Sequence, residues 1–463
     1  MIDLTERTSP LTFADAVHLL RRTTMHPTWA AATALVGKTP AGAVDQLLAV
    51  QEPDPQPPSW ADTPPEFTDF AAAARLWPEL QRWWADTLLT KTSLRERMVM
   101  LWHNTFTSDY ITVYAGQWMV KQQQLIRTQA FSYRALAEGM VADPGMLRYL
   151  NGDQSIKGNP NENFAREWFE LFTLGVGNYT EKDIVEAARA FTGWRISGLR
   201  GVYNRSLADL DTKTILNQTG KWEWQDVARI TFEQPACARW VAGKLLRQFV
   251  AFYPSDEDIE ALAVHIRTSN FELKPVLRAL LTSNGFYAPE LRGALIKSPA
   301  DLVVGLAAVL NATTMNRPYA LSSMGRLTQE LFYPPTVQGW QGHHAWITSS
   351  TFPQRQRYAE SFIDGKQAGV ATPITTVSGT PLEPDVIAFV RQMPGSDDAH
   401  KVVDAVASLL LPIPITKEQH EVLLEILLAG ARDYEWDLNE PASVQRVKFL
   451  LRAIVRMPEF QLM

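Results

Sequence analysis

Helix start signals recur at short intervals along this chain, and they constrain its fold more than any other feature. Thr12 to Asp15 has the spacing of a capping box, in which a hydroxyl accepts from the helix N-terminus and a carboxylate reaches back to the cap. The segment after it, FADAVHLLRR, carries apolar residues at helical spacing. Thr39-Pro40 and Ser298-Pro299 each place a cap before a proline at the first helical position, the former just after Gly37 closes the preceding helix. Helical patterning returns in LWPELQRWWADTLL, in LRERMVMLWHNTF after a Ser93 cap, from Gln225 to Leu310, and near the C-terminus. The expectation is an all-α fold: a large multi-helix domain with long irregular loops and at most a short β-hairpin.

Three stretches interrupt this rhythm. Residues 51–66 are proline-rich and read as an extended surface connection. Residues 195–220 combine glycines with short alternating runs, as in a loop with one hairpin. Residues 331–355, LFYPPTVQGWQGHHAWITSSTFPQR, are irregular and rich in Gly and aromatics. The expected organisation is a main helical domain over 1–365, then a linker and C-terminal helices over 366–463 that pack on it.

Composition narrows the function classes. A net charge of −6 without a Lys/Arg run gives no nucleic-acid footprint. The single cysteine, Cys237, excludes an intrachain disulfide and a Cys-based zinc site. No basic stretch followed by an apolar run opens the chain, so a cytoplasmic location is expected, and the apolar run Leu302 to Leu310 is far too short for a membrane span.

Chemistry-bearing residues concentrate between Asn159 and Trp194, which read as two helices joined by a glycine turn. On a helical wheel Trp168, Phe169, Leu171 and Phe172 fall on the apolar arc of Phe164, while Asn163, Arg166, Glu167 and Glu170 share the other side. Arg166 and Glu170 are i,i+4 neighbours and Glu186 and Arg189 are i,i+3 neighbours, so a solvated face with intrahelical ion pairs explains them as well as a site does. His103 and Asn104 end a helix rich in Met, Leu and Trp, where a histidine commonly serves the core; a metal or acid–base role is the alternative. His343-His344 read as exposed loop histidines, and the run Arg95, Glu96, Arg97 as solvated surface. Trp194, Trp340 and Trp346 are packing anchors or a stacking surface for a ligand. No zincin, di-iron, nucleophile-elbow or phosphate-loop spacing is present.

Segments spread over nearly the whole chain resemble a bacterial domain-of-unknown-function family, the one numbered 1800. They include HLLRRTT (His18 to Thr24), LRERMVMLWHNTF (Leu94 to Phe106), NENFAREWFELFTLGVGNYTEKDIVEAARAFTGW (Asn161 to Trp194) and QPACARWVAGKLLRQFV (Gln234 to Val250). LKPVLRALLTSNGFY, IKSPADLVVGL, LFYPPTVQGWQGHHAWI and the terminal MPEFQL continue the match in order. The resemblance implies an all-α fold, a sulfatase-like partner protein encoded nearby, and export in many relatives; no agreed activity comes with it. Relatives often carry histidines where this chain has Thr105, Phe172 and Ala208. A site relying on several imidazoles would be crippled here, and His103, Asn104, Asn161, Asn163, Arg166, Glu167, Glu170, Arg189 and Lys213 are what survives.

Three functional readings follow. The first is a binding or partner protein presenting the polar cluster, with Trp194 and the Trp/Gly loop, to a ligand or to the sulfatase-like protein. The second is an enzyme with Glu167 or Glu170 as base, His103 as proton partner and Arg166 or Arg189 holding an anionic or polyhydroxy substrate, or the same carboxylates and His103 around one oxygen-preferring metal such as Mn, Mg or Ca. The third is a buried structural network. No cofactor is specified by the sequence. Whether His103, Glu167, Glu170 and Arg189 meet around an accessible pocket separates these readings.

Overall fold

The caps expected at Thr12, Thr39 and Ser298 form, whereas Ser93 takes the N-cap position of its helix without a capping hydrogen bond from its side chain. Thr12, Thr180 and Ser298 each accept from the backbone N–H three residues on, and Asp15, Asp183 and Asp301 reach back to the cap N–H. Such a cap contributes about 1 kcal/mol, enough to set where a helix begins. In the computed structural model, which describes residues 2–67, 70–310, 317–366 and 383–463, twenty-two α-helical segments occur among the described residues.

Those used below are α1 (Phe13–Thr23), α2 (Phe70–Thr90), α3 (Leu94–His103), α4 (Gly116–Thr128), α5 (Glu162–Glu167), α6 (Glu181–Ala190), α7 (Pro235–Phe249), α8 (Pro299–Val309), α9 (Thr351–Asp364), α10 (Ala399–Leu410) and α11 (Pro441–Arg456). Residues 195–220 hold two antiparallel hairpins, one more than expected: β1 (Trp194–Ser197) with β2 (Arg200–Tyr203), and β3 (Lys213–Ile215) with β4 (Gln218–Gly220). No helix among the described residues is long and apolar enough to cross a membrane.

Helix α3 lies at the centre. Its MVMLW run is apolar on every side, so no face is left for water, and every residue from Glu96 to His103 is buried. The expectation that Arg95, Glu96 and Arg97 form a solvated cluster is therefore corrected for two of them. Glu96 is 1% and Arg97 3% exposed. Glu96 receives two hydrogen bonds of 3.0 Å from Arg127 on α4, and Arg97 lies 2.6 Å from Asp301 on α8. Arg95 stays at the edge and pairs with Asp54 at 3.0 Å.

The apolar core runs without a break from Leu11 to Phe460. C-terminal helices contribute to it directly: Arg452 on α11 bonds Asp364 on α9 at 2.9 Å, and Arg21 on α1 donates to the Leu409 carbonyl on α10 at 2.5 Å. Residues 367–382, the greater part of the expected linker, lie outside the described residues.

Candidate functional site

The residues singled out in the sequence sort into four separate groups. His103 is fully buried, its ring centroid 4.6 Å from Trp84, 5.4 Å from Phe332 and 5.8 Å from Trp340. Burial, with a smaller contribution from nearby Arg127, pushes its pKa down to about 3, so the ring is neutral. Nδ1 lies 3.1 Å from the Gln123 side-chain amide, and Nε2, among aromatic faces, has no hydrogen-bond partner among the described residues. Asn104, the next residue, pairs with the backbone of Trp340: its amide donates to the carbonyl at 3.1 Å and accepts from the N–H at 2.7 Å.

The second group is at α5. Asn161 caps the helix by accepting from Asn163 N–H at 2.9 Å, and Asn163 is exposed. Arg166 bonds Glu181 on α6 through two hydrogen bonds, 3.0 and 2.8 Å, and reaches Glu162 at 3.6 Å. It does not pair with Glu170 as the wheel suggested. Glu181 takes both terminal guanidinium nitrogens instead. A π-helical turn follows over Trp168–Thr173, where Leu174 N–H bonds the Phe169 carbonyl five residues back.

Glu167 and Glu170 form the third group. Glu170 accepts from Tyr179 OH at 3.1 Å. Glu167 is half-buried and makes no hydrogen bond or ion pair among the described residues. Burial, reinforced by the Glu170 carboxylate, raises its pKa to about 7.

The fourth group is tied down throughout. Arg189 donates to Asp209 at 2.8 Å, to Glu186 at 2.9 Å and to the Thr212 carbonyl at 3.3 Å. Lys213 is 1% exposed and its ammonium donates to the Asp209 and Asp211 carbonyls at 2.5 and 2.9 Å. Trp194 is buried at the head of β1 against Tyr203 and Trp224, as a packing anchor. His103, Glu167, Glu170 and Arg189 have no partner in common among these contacts. No three of His, Cys, Asp and Glu come together as a metal-binding group among the described residues.

A cleft of about 480 Å³ opens elsewhere, between the C-terminal end of α3, α7, the start of α8 and the Gly/Trp-rich loop. That volume is in the range of small-molecule sites, about 300–1,000 Å³. Its lining includes Asn104, Lys244, Arg247, Trp340, Gln341 and His343. The one acidic side chain in its lining, Asp301, is engaged by Arg97. Lys244 and Arg247, one helical turn apart on α7, have no carboxylate partner among the described residues. Lys244 rests over the Trp240 ring at 4.8 Å, and burial beside Arg247 lowers its pKa to about 8. Two buried N–H groups on cleft residues, Trp340 Nε1 and Arg97 Nε, have no acceptor.

Behind the cleft the positive charge deepens. Arg21, Lys297 and Asp301 line a small cavity of about 40 Å³. Arg22 donates to the Leu291 carbonyl at 2.7 Å, Lys297 to Phe460 at 2.6 Å and Arg355 to Lys297 at 2.8 Å. Carbonyl dipoles satisfy these donors without cancelling their charge. Burial lowers the pKa of Arg21 and Arg22 to about 9 and that of Arg355 to about 10. Among the side chains lining the two cavities, the basic groups Arg21, Arg97, Lys244 and Arg247 outnumber the one carboxylate, Asp301, which favours an anion.

Sequence reasoning missed this cleft, although one signal was available. Helix α7, PACARWVAGKLLRQF, contains three cations and no acid. Arg239 finds Asp256 and Glu260 at 2.9 and 2.8 Å; Lys244 and Arg247 are left over. His343, expected to be exposed, is half-buried and stacks on Phe252 at 4.5 Å, whereas His344 is exposed.

The profile of a family described as a protein of unknown function, DUF1800, matches residues 18–462. No curated protein and no solved structure matches the chain.

Proposed function

The chain belongs to the DUF1800 family, and we propose that it is a binding protein whose cleft takes a small phosphate- or carboxylate-bearing ligand held by Lys244 and Arg247. The observation that supports this reading is a pair of neighbouring cations, without carboxylate partners among the described residues, facing a cleft whose acid is already engaged. Arg247 is exposed, but Lys244 is half-buried, where an unpaired charge is costly and an anion offsets the cost. Each charge-assisted hydrogen bond contributes about 1.5–3 kcal/mol. Two or three of them correspond to a dissociation constant of roughly ten millimolar or below.

Titration of inorganic phosphate into the full chain, followed by calorimetry and thermal shift, tests this. Binding is expected in the wild type and loss of binding in Lys244→Ala/Arg247→Ala. No response at tens of millimolar, or an undiminished response in the double variant, rejects it. A sulfatase-like partner is an expectation of the family resemblance, and no surface of the fold is assigned to it.

One observation favours a second reading, acid–base chemistry at Glu167. A half-buried carboxyl without a hydrogen-bond partner, its pKa raised to about 7 beside Glu170 at the start of a π-helical turn, is suited to proton transfer. A screen over phosphate and glycoside esters, followed by Glu167→Gln, tests it. Activity that survives in the Gln variant sinks this reading.

A further inference from the structure

Arg247 lines two clefts. The larger is described above; the smaller, about 250 Å³, lies between α7 and the glycine turn after the π-helical segment. Leu174 and Val176 at the turn, Ala236 and Trp240 on α7, and Ile259 on the helix that follows are among its walls. Arg239, Gly243 and Arg247 recur every four residues and so share one face of α7. That face is bare at Gly243, where a Cβ would lie 3.4 Å from Arg247 Nη1. The guanidinium therefore rests over the Gly243 backbone, where the two clefts adjoin. Arg239, toward the other end of the smaller cleft, is already taken by Asp256 and Glu260.

The clefts differ in character. Gln248, Gln338 and Gln341 offer amides to the larger, whereas Leu174, Val176, Ala236 and Ile259 give the smaller a largely apolar wall. Lys244 lines the larger cleft and lies 4.8 Å over the ring of Trp240, which walls the smaller. An anionic group bound at Arg247 thus has a cleft on each side of it. A terminal carboxylate or a phosphate monoester ends the molecule that carries it and fills only one. A phosphodiester carries its charge between two substituents and fills both. Its two non-bridging oxygens also match the paired N–H groups of a guanidinium.

Resting on the anion-binding reading of the larger cleft, we propose that the ligand is a phosphodiester whose phosphate sits against Arg247 and Lys244. A hydroxyl-rich substituent occupies the larger cleft beside the Gln338 and Gln341 amides, and a small apolar substituent occupies the smaller cleft against Val176 and Ile259. Burial of this second substituent, which a monoester lacks, selects the diester. Charge alone works the other way, since a monoester carries about −1.5 to −2 at pH 7 and a diester a single charge.

Calorimetry of the full chain with inorganic phosphate, glycerol 3-phosphate and the ethyl ester of glycerol 3-phosphate tests the proposal. Two buried carbons favour the ester by about tenfold, and its lower charge offsets part of that, so it is expected to bind about threefold tighter than glycerol 3-phosphate. Ile259→Phe adds bulk to the smaller cleft beside Gly243, and Val176→Trp adds it from the turn; neither alters a cation. Each is expected to abolish the advantage of the ester and to leave glycerol 3-phosphate binding unchanged. Val176 is 77% exposed, so the fold does not depend on it, and melting curves check both variants. Equal or tighter binding of glycerol 3-phosphate, or an ester advantage that survives in either variant, overturns the diester proposal and leaves the anion site standing. Failure of all three to bind overturns both.

Discussion

Asn104 holds Trp340 by both of its backbone groups, at 3.1 and 2.7 Å, and so fastens the Gly/Trp-rich loop to the end of α3. The arrangement also explains Gly339. That residue has φ +80°, and a Cβ there would lie 2.3 Å from Asn104 Oδ1. Asn104→Asp removes the donor and sets a charge against the Trp340 carbonyl, with an expected loss of about 1–3 kcal/mol in urea unfolding. Gly339→Ala meets both the clash and the left-handed backbone and should cost about as much. Both variants should weaken anion binding, because the loop forms one wall of the cleft.

The Glu96–Arg127 pair, 1% exposed on each side chain, is a central ion pair rather than a surface contact. Glu96→Gln strands a buried guanidinium and should destabilise by about 3–5 kcal/mol, whereas Glu96→Leu combined with Arg127→Met should be close to neutral. Chemical denaturation of the single and double variants measures the difference. A loss below 1 kcal/mol in Glu96→Gln would refute the burial argument.

His103 sets a pH dependence of known sign. Its folded pKa, about 3, is below the ordinary imidazole value of 6.5, so the unfolded chain takes up the proton first. Its contribution is complete above pH 6.5 and is lost as pH falls toward 3, at up to about 1.4 kcal/mol per pH unit. Relative to His103→Leu, the wild type should weaken steadily between pH 6.5 and 4. Parallel curves for the two proteins would contradict a neutral, buried imidazole.

Glu167 acts in the opposite direction. Its folded pKa, about 7, exceeds the ordinary 4.5, so the fold keeps a proton that the unfolded chain releases. That contribution is full below pH 4.5 and is lost as pH rises through 7. Glu167→Gln should therefore gain on the wild type by about 1–2 kcal/mol between pH 5 and 8, after allowance for partial solvent screening. Melting temperatures of both proteins at the two pH values decide it.

Lys244 ties affinity to pH. With its pKa lowered to about 8, it carries full charge at pH 6.5 and little at pH 9.5. Phosphate affinity should fall across that interval in the wild type. In Lys244→Gln it should be weaker throughout and change less. Calorimetric titrations at pH 6.5, 8 and 9.5 provide the check.

Helix boundaries were legible because capping is local chemistry. Thr12, Thr180 and Ser298 need only a carboxylate three residues away, and Asp15, Asp183 and Asp301 supply it. The candidate cluster was less legible. Arg166 and Glu170 have the spacing of an intrahelical pair, but the partner that Arg166 takes, Glu181, comes from the next helix and has no marker in local spacing. Two burial states were also misjudged from charge alone: Glu96 and Arg97 are core residues because α3 is apolar on all its other faces.

By itself, the sequence determined the helical class, the starts of the helices and the family to which the chain belongs, since these depend on residues a few positions apart. Only the tertiary structure decided which charges are cancelled. Arg189 and Lys213 are consumed by Asp209 and nearby carbonyls, whereas Lys244 and Arg247 face a loop nearly a hundred residues away that brings them no acid. Whether a charge is free depends on the full set of groups that folding brings within a few ångströms of it, and no local pattern encodes that set.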